Sequence, residues 1–328
     1  MKRREFLKKA GMGSAALASA LVMTAVPVQA AIGDITEFAL PNPNSAPIGI
    51  TTGPDENLWF VEVGGNRIGK ITPTGVITEF ALPNPNSGPP AITAGPDDNL
   101  WFTEQPGNRI GRITPTGVIT EFALPKPDSG PRTITPGPDG NLWFTEFLGN
   151  RIGLITPTGD ITEFALPSPN RGPNTVVAGP DENLWFTEEL VNKIGRITPT
   201  GGITEFALPN PNSDPINITV GPDENLWFTE FLGNRIGRIT PTGVITEFAL
   251  PKPDSLPRTI TVGPDENLWF TEFRGRIGRI TPAGVITEFA LNTLPWVITT
   301  GPDEKLWFTE TFANRIGRID PGEDQTNN

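Results

Sequence analysis

Short apolar runs punctuated by turn residues fill the chain, and none of them shows helical spacing. In the stretch from Asn217 to Pro251 the runs fall at roughly 217–220, 224–230, 234–240 and 244–250 and are rich in β-branched and aromatic residues. Gly-Pro-Asp-Glu-Asn, Phe-Leu-Gly and Pro-Thr-Gly separate them, which are turn sequences suited to hairpins. The pattern predicts four antiparallel strands, a to d in chain order. Near-copies recur throughout, with tryptophans at Trp59, Trp101, Trp143, Trp185, Trp227, Trp269 and Trp307, spaced 42 residues apart five times and then 38. A unit that cannot bury its own apolar face must stack on its neighbours. Seven such units predict an all-β fold, a seven-bladed β-propeller with four antiparallel strands per blade.

Strand b reads Leu-Trp-Phe, apolar on both faces, as a sheet sandwiched between two blades requires. Strand d carries Ile-Thr-Glu-Phe, whose Glu and Thr are expected on the outer edge, where charge discourages pairing with other chains. The ends of the repeat predict closure. Asp34-Ile-Thr-Glu-Phe38 is a lone copy of strand d, while the seventh unit stops after strand c at Asp320. The N-terminal strand is therefore expected to complete the last blade. Residues 31–320 form the propeller in this reading, and 321–328 a disordered polar tail.

The first thirty residues have a different pattern. Basic residues that include Arg3 and Arg4 precede an apolar stretch from Ala15 to Val28, and Val28-Gln29-Ala30 has the small residues of a cleavage site. This predicts an export signal over residues 1–30 of the twin-arginine kind, and a secreted or periplasmic protein with no membrane span once the signal is removed. Its removal changes the net charge of the chain from −12 to −16. Such a surface repels phosphate backbones, so nucleic acid is not an expected partner, and a monomer is the expected state. The sequence contains no cysteine, histidine or tyrosine. Thiol chemistry is excluded, as is the side chain best suited to proton transfer near neutrality; any chemistry falls to carboxylates, Lys, Arg, Ser or Thr.

Strand direction assigns the loops to faces. The a–b and c–d turns share one face and barely vary; the b–c and d–a loops share the other and differ from blade to blade. The residue after the proline that opens strand a is Ile48, Pro90, Arg132, Asn174, Ile216, Arg258 and Trp296 in turn. The b–c loops add Phe147, Phe231, Phe273 and Phe312. Tolerated drift would place differences on these same loops. Aromatic residues and arginines, however, make an apolar mouth with cationic handles, and the candidate ligand site is Ile48, Arg132, Asn174, Ile216, Arg258, Trp296 and those four phenylalanines. The glutamates that end strand b, Glu62 to Glu310, could ring a divalent cation, with Glu272 and Glu310 as the metal candidates; the preferred reading pairs each with the Arg of Asn-Arg-Ile-Gly, because all seven copies share it.

Asn-Leu-Trp-Phe-Thr-Glu, Asn-Arg-Ile-Gly-Arg-Ile-Thr, Gly-Val-Ile-Thr-Glu-Phe-x-Leu-Pro and Pro-x-x-Ile-Thr-x-Gly-Pro-Asp together resemble the streptogramin B lyase (virginiamycin B lyase) family, over Asp34–Asp320. The resemblance implies a seven-bladed propeller that opens a cyclic depsipeptide antibiotic by elimination, and so an antibiotic-resistance activity. It implies a histidine base and Mg²⁺ held by carboxylates. The positions that match the family's functional histidines are Arg258 and Trp296; those that match its acids are Leu294 and the neighbourhood of Thr311. Neither a guanidinium nor an indole is a useful base at neutral pH. The expected function is thus a non-catalytic scaffold that binds a small amphipathic ligand or peptide, with no certain cofactor. The alternative is a Mg²⁺-assisted streptogramin B lyase with a base other than histidine.

Overall fold

The computed structural model describes residues 35–322. The predicted export signal and most of the predicted tail lie outside them. The described residues form seven four-stranded antiparallel sheets, and one 3₁₀ turn, Glu189–Val191, interrupts a b–c loop. This is the seven-bladed propeller. In the first blade strands a to d are Pro47–Thr52, Leu58–Glu62, Arg67–Ile71 and Ile77–Ala81. The last blade takes its outer strand from Ile35–Ala39, which pairs with Arg315–Ile319 from Ile35↔Ile319 to Ala39↔Arg315. No helix among the described residues is long and apolar enough to cross a membrane.

The core lies between blades, not within them. The second blade supplies Trp101, Ile110 and Leu124 to a cluster completed by Ile134, Leu142, Phe144 and Ile155 of the third. Leu40, Trp307 and Ile316 do the same against Ile50, Leu58, Phe60 and Ile71 of the first blade, and so close the ring. Strand b is buried along its whole length in every blade, because one face meets the preceding blade and the other the next.

Local sequence explains the sameness of the blades. Each strand b tryptophan donates its indole N–H to the aspartate of its a–b turn, as Trp227 does to Asp223 at 2.9 Å. Its ring stacks on the strand d phenylalanine, 5.5 Å away for Trp227 and Phe248. The other face depends on a glycine. A Cβ added at Gly237 of strand c would lie 2.1 Å from the Phe228 ring, which folds flat over the bare backbone. Gly237→Ala is expected to destabilise the propeller by about 3 kcal/mol, the upper range for overpacking a filled core. Thermal unfolding checks this; an unchanged Tm would show that the ring has room to move.

One expectation about strand d is corrected. Four of its glutamates are not outward edge charges: the side chains of Glu121, Glu163, Glu247 and Glu288 are only 5–9% exposed, whereas Glu37 in the last blade is exposed as expected. Glu121 lies opposite Gly111, on the same side of the sheet as Glu104 and Arg109. The Phe102 ring covers Gly111, and the carboxylate is drawn inward by its partners: Arg109 meets Glu104 at 2.6 Å and Glu121 at 3.4 Å, and the Asn84 amide donates to Glu121. The threonine beside it, Thr120, carries the exposure instead.

Candidate functional site

In five of the seven blades strand a opens at a proline, whose fixed φ suits an extended start. In five blades an extra residue follows at once: Pro257 pairs with Glu272, and the next pair is Ile260 with Phe270. A bulge of this kind re-aims side chains. It frees the residue after the proline to leave the sheet plane and face the ring centre. A hydroxyl from the preceding blade then fixes that residue's backbone. Thr229 donates to the carbonyl oxygen of Arg258 at 3.0 Å, Thr271 to that of Trp296 at 3.1 Å and Thr145 to that of Asn174 at 2.7 Å. This is the structural reason for Trp-Phe-Thr in the repeat. The first blade has Val61 in this place and cannot make the bond to the second blade's rim residue.

The rim residues surround a cavity of about 600 Å³ on the face of the variable loops. Of the ten residues expected there, Ile48, Arg132, Asn174, Ile216, Phe231, Arg258 and Trp296 line it. The other three stand behind them. The Arg132 guanidinium stacks on Phe147 at 3.6 Å. Phe273 and Phe312 each meet Trp296 edge to face at 5.7 Å and each other at 6.3 Å, a triangle that holds the indole upright. Arg258 lies flat against the other side of that indole, 3.6 Å from the ring centre.

Two acids that sequence reasoning left out also line the cavity. Glu189, from the b–c loop of the fourth blade, accepts from Arg132 at 2.9 Å and from the Asn174 amide at 2.6 Å. Asp214 precedes the proline of the fifth strand a, in a left-handed conformation with φ 55°. Ala46, Gly88, Gly130, Gly172, Leu256 and Leu294 hold its place in the other blades. A single acid among small and apolar residues was the available signal.

The charges act on one another. Burial pushes the Asp214 carboxyl up to about 6, helped by Glu189 and opposed by Arg132. Burial also pulls the Arg258 guanidinium down to about 10, with Arg132 adding to the fall and Glu189 resisting it. Arg258 remains protonated at neutral pH. The mouth is thus apolar around Trp296 and holds two arginines and two acids, of which Arg132 and Glu189 are paired with each other.

The metal candidates lie elsewhere. Glu272 is fully buried and accepts from Arg276 at 2.7 Å, and Arg276 also bonds Ser255 at 2.9 Å. Glu310 is equally buried; Arg315, its counterpart, turns to Glu37. Neither lines the cavity. Of the acids that do, Glu189 is already engaged by Arg132 and Asn174, and Asp214 is the one that remains. The positions where carboxylates would be expected hold Leu294 and Thr311, whose hydroxyl is committed to the Pro47 carbonyl at 2.6 Å. This donor set does not fit Mg²⁺, which needs several converging oxygens.

The chain matches the model of the virginiamycin B lyase family over residues 24–226, 86–293 and 211–327. It superposes on a streptogramin B lyase structure with a TM-score of 0.85 and 41% identity, covering 89% of this chain and 98% of that one. It also superposes on a catalytically inactive histidine-to-alanine variant of virginiamycin B lyase from Staphylococcus aureus with quinupristin, with a TM-score of 0.84 and 44% identity, over 88% and 99% of the two chains. A curated virginiamycin B lyase from Bacillus licheniformis is 46% identical over 41 residues, a match that spans 12% of this chain and 14% of that relative's length.

Proposed function

The chain belongs to the virginiamycin B lyase family, and from that membership we propose that it is an exported propeller that binds a small amphipathic ligand or peptide without catalysing elimination. One observation carries this reading. A relative from Staphylococcus aureus is inactive when a histidine is replaced by alanine, and this chain contains no histidine. Where a proton acceptor is expected, Arg258 stacks on Trp296. That stack is rigid, flat and partly apolar, which suits recognition and offers no base.

The test is a titration with N-phenyl-1-naphthylamine, a neutral dye that fluoresces in apolar surroundings. One saturable site is expected, weakened at least about tenfold in Trp296→Ala because a central aromatic anchor is lost. Dye binding that never saturates, or that ignores this substitution, removes the cavity from consideration.

A second reading, elimination with a carboxylate base, draws on Asp214. A carboxyl at about 6 accepts a proton more readily at neutral pH than an ordinary aspartate. That reading requires conversion of a streptogramin B antibiotic that Asp214→Asn abolishes.

A further inference from the structure

Arg258 is the cation of the mouth with no anion to match it. Arg132 has Glu189 at 2.9 Å. The Arg258 guanidinium makes no hydrogen bond or ion pair among the described residues; its one close partner is the Trp296 ring. Even a half-buried guanidinium without a carboxylate is costly unless something supplies the charge. Four of the arginines that open strand c illustrate the rule, for Arg109, Arg151, Arg235 and Arg276 each bind a buried glutamate.

We propose that Arg258 is an anion receptor, and that the ligand of this cavity carries one carboxylate- or sulfonate-like group against Arg258 and a flat apolar remainder along the Trp296 side. This rests on the reading of the cavity as a binding site and names the chemistry it selects. A planar oxyanion can take two parallel N–H bonds from a guanidinium whose face is already held by the indole. The geometry leaves the edge of Arg258 for the ligand, since Trp296 covers a face. The neighbouring acids set the terms. Glu189 is neutralised by Arg132 and Asn174. Asp214 is faced by Glu189 and Arg132 and competes with an incoming anion only while ionised. Anion binding therefore tightens as pH falls through the range where Asp214 takes up its proton.

The probe pair is 8-anilinonaphthalene-1-sulfonate, anionic throughout the range used, and N-phenyl-1-naphthylamine, the same skeleton without the charge. Both are titrated into the full protein and into Arg258→Gln and Asp214→Asn. The sulfonate is expected to bind at least about tenfold more tightly than the neutral dye, as charge-assisted bonds require. Arg258→Gln erases that preference, and an unchanged circular dichroism spectrum and melting temperature show that it folds. Sulfonate affinity rises severalfold between about pH 7.5 and pH 5.5, and Asp214→Asn removes the rise. Equal binding of the two dyes by the unsubstituted protein overturns the anion receptor and leaves the binding reading standing. If neither dye binds, the binding reading falls and the inference with it.

Discussion

Removal of Ile35–Ala39 is expected to unfold the propeller as a whole. These five residues are one of the twenty-eight strands among the described residues, yet they are the strand by which the start of the chain is hydrogen-bonded into the last blade. Without them Arg315–Ile319 becomes an open edge, and five paired positions are lost. Phe38 also leaves Trp307, on which it stacks at 5.5 Å, in a cluster that joins the seventh blade to the first. In a ring each blade is held by two neighbours, so opening one junction weakens both flanks. Phe38→Ala alone should cost roughly 2 kcal/mol in lost burial. Deletion of the strand should cost several times that, a large share of the roughly 5–15 kcal/mol by which folded domains are stable. Circular dichroism and thermal unfolding of the two variants check this. A deletion that melts within a few degrees of the parent would show that the last blade does not need its borrowed strand.

Acidification from about pH 8 to pH 5 is expected to raise the melting temperature, the reverse of ordinary acid denaturation. The cause lies in the glutamate pairs. In the second blade Glu104 and Glu121 converge on the single Arg109, and oxygens on both carboxylates are buried without a partner. Two acids with one base leave one charge too many in a dry place, and the pair is more stable with a proton bound. Burial and Glu121 push Glu104 up to about 7; burial and Glu205 do the same to Glu188. Burial also raises Glu62, Glu146, Glu230, Glu272 and Glu310. The ordinary value is 4.5, so the folded state binds these protons more tightly than the unfolded chain does. The contribution of Glu104 and Glu188 is therefore full below 4.5 and is lost as pH rises through about 7, and that of the other five is lost in the same direction. A counter-effect sets the lower limit. At Asp55, Asp97, Asp181 and Asp223 burial works upward, but bonds from Trp indoles and Asn side chains outweigh it and hold the carboxyls below 3.8. That contribution is present above 3.8 and lost as pH falls further. The optimum should lie near pH 5. Glu104→Gln and Glu188→Gln should each flatten the profile on its alkaline side; a Tm that climbs steadily from pH 5 to pH 8 would mean that the pairs carry both charges without strain.

The architecture could be read from the sequence because each of its causes is local and repeated. Trp-Phe between turn signals, the period of 42, and the unmatched copy of strand d at Ile35–Ala39 each state one requirement of a closed ring. The site was legible in part, because alternating strand direction sends every proline-led residue to one face whatever its identity. That reasoning reached Arg132, Asn174, Arg258 and Trp296. It did not reach Glu189 and Asp214, because their role depends on how side chains of neighbouring blades meet at the mouth. Arg132 meets Glu189 from 57 positions away, and no period predicts such a contact. The inward turn of Glu121 was hidden for a related reason. Simple alternation places a strand side chain on a face, but only the partners it meets there, Arg109 and the Asn84 amide, decide that the carboxylate folds in.

The proposed function turns on Arg258, which stacks on Trp296 where the family resemblance implies a proton acceptor. The most direct measurement is incubation of the protein with a streptogramin B antibiotic and Mg²⁺, followed by mass spectrometry. Antibiotic recovered with its ring intact at high protein concentration is the predicted result. A ring-opened product of unchanged mass and shifted retention, formed in proportion to protein and suppressed by EDTA, would contradict it.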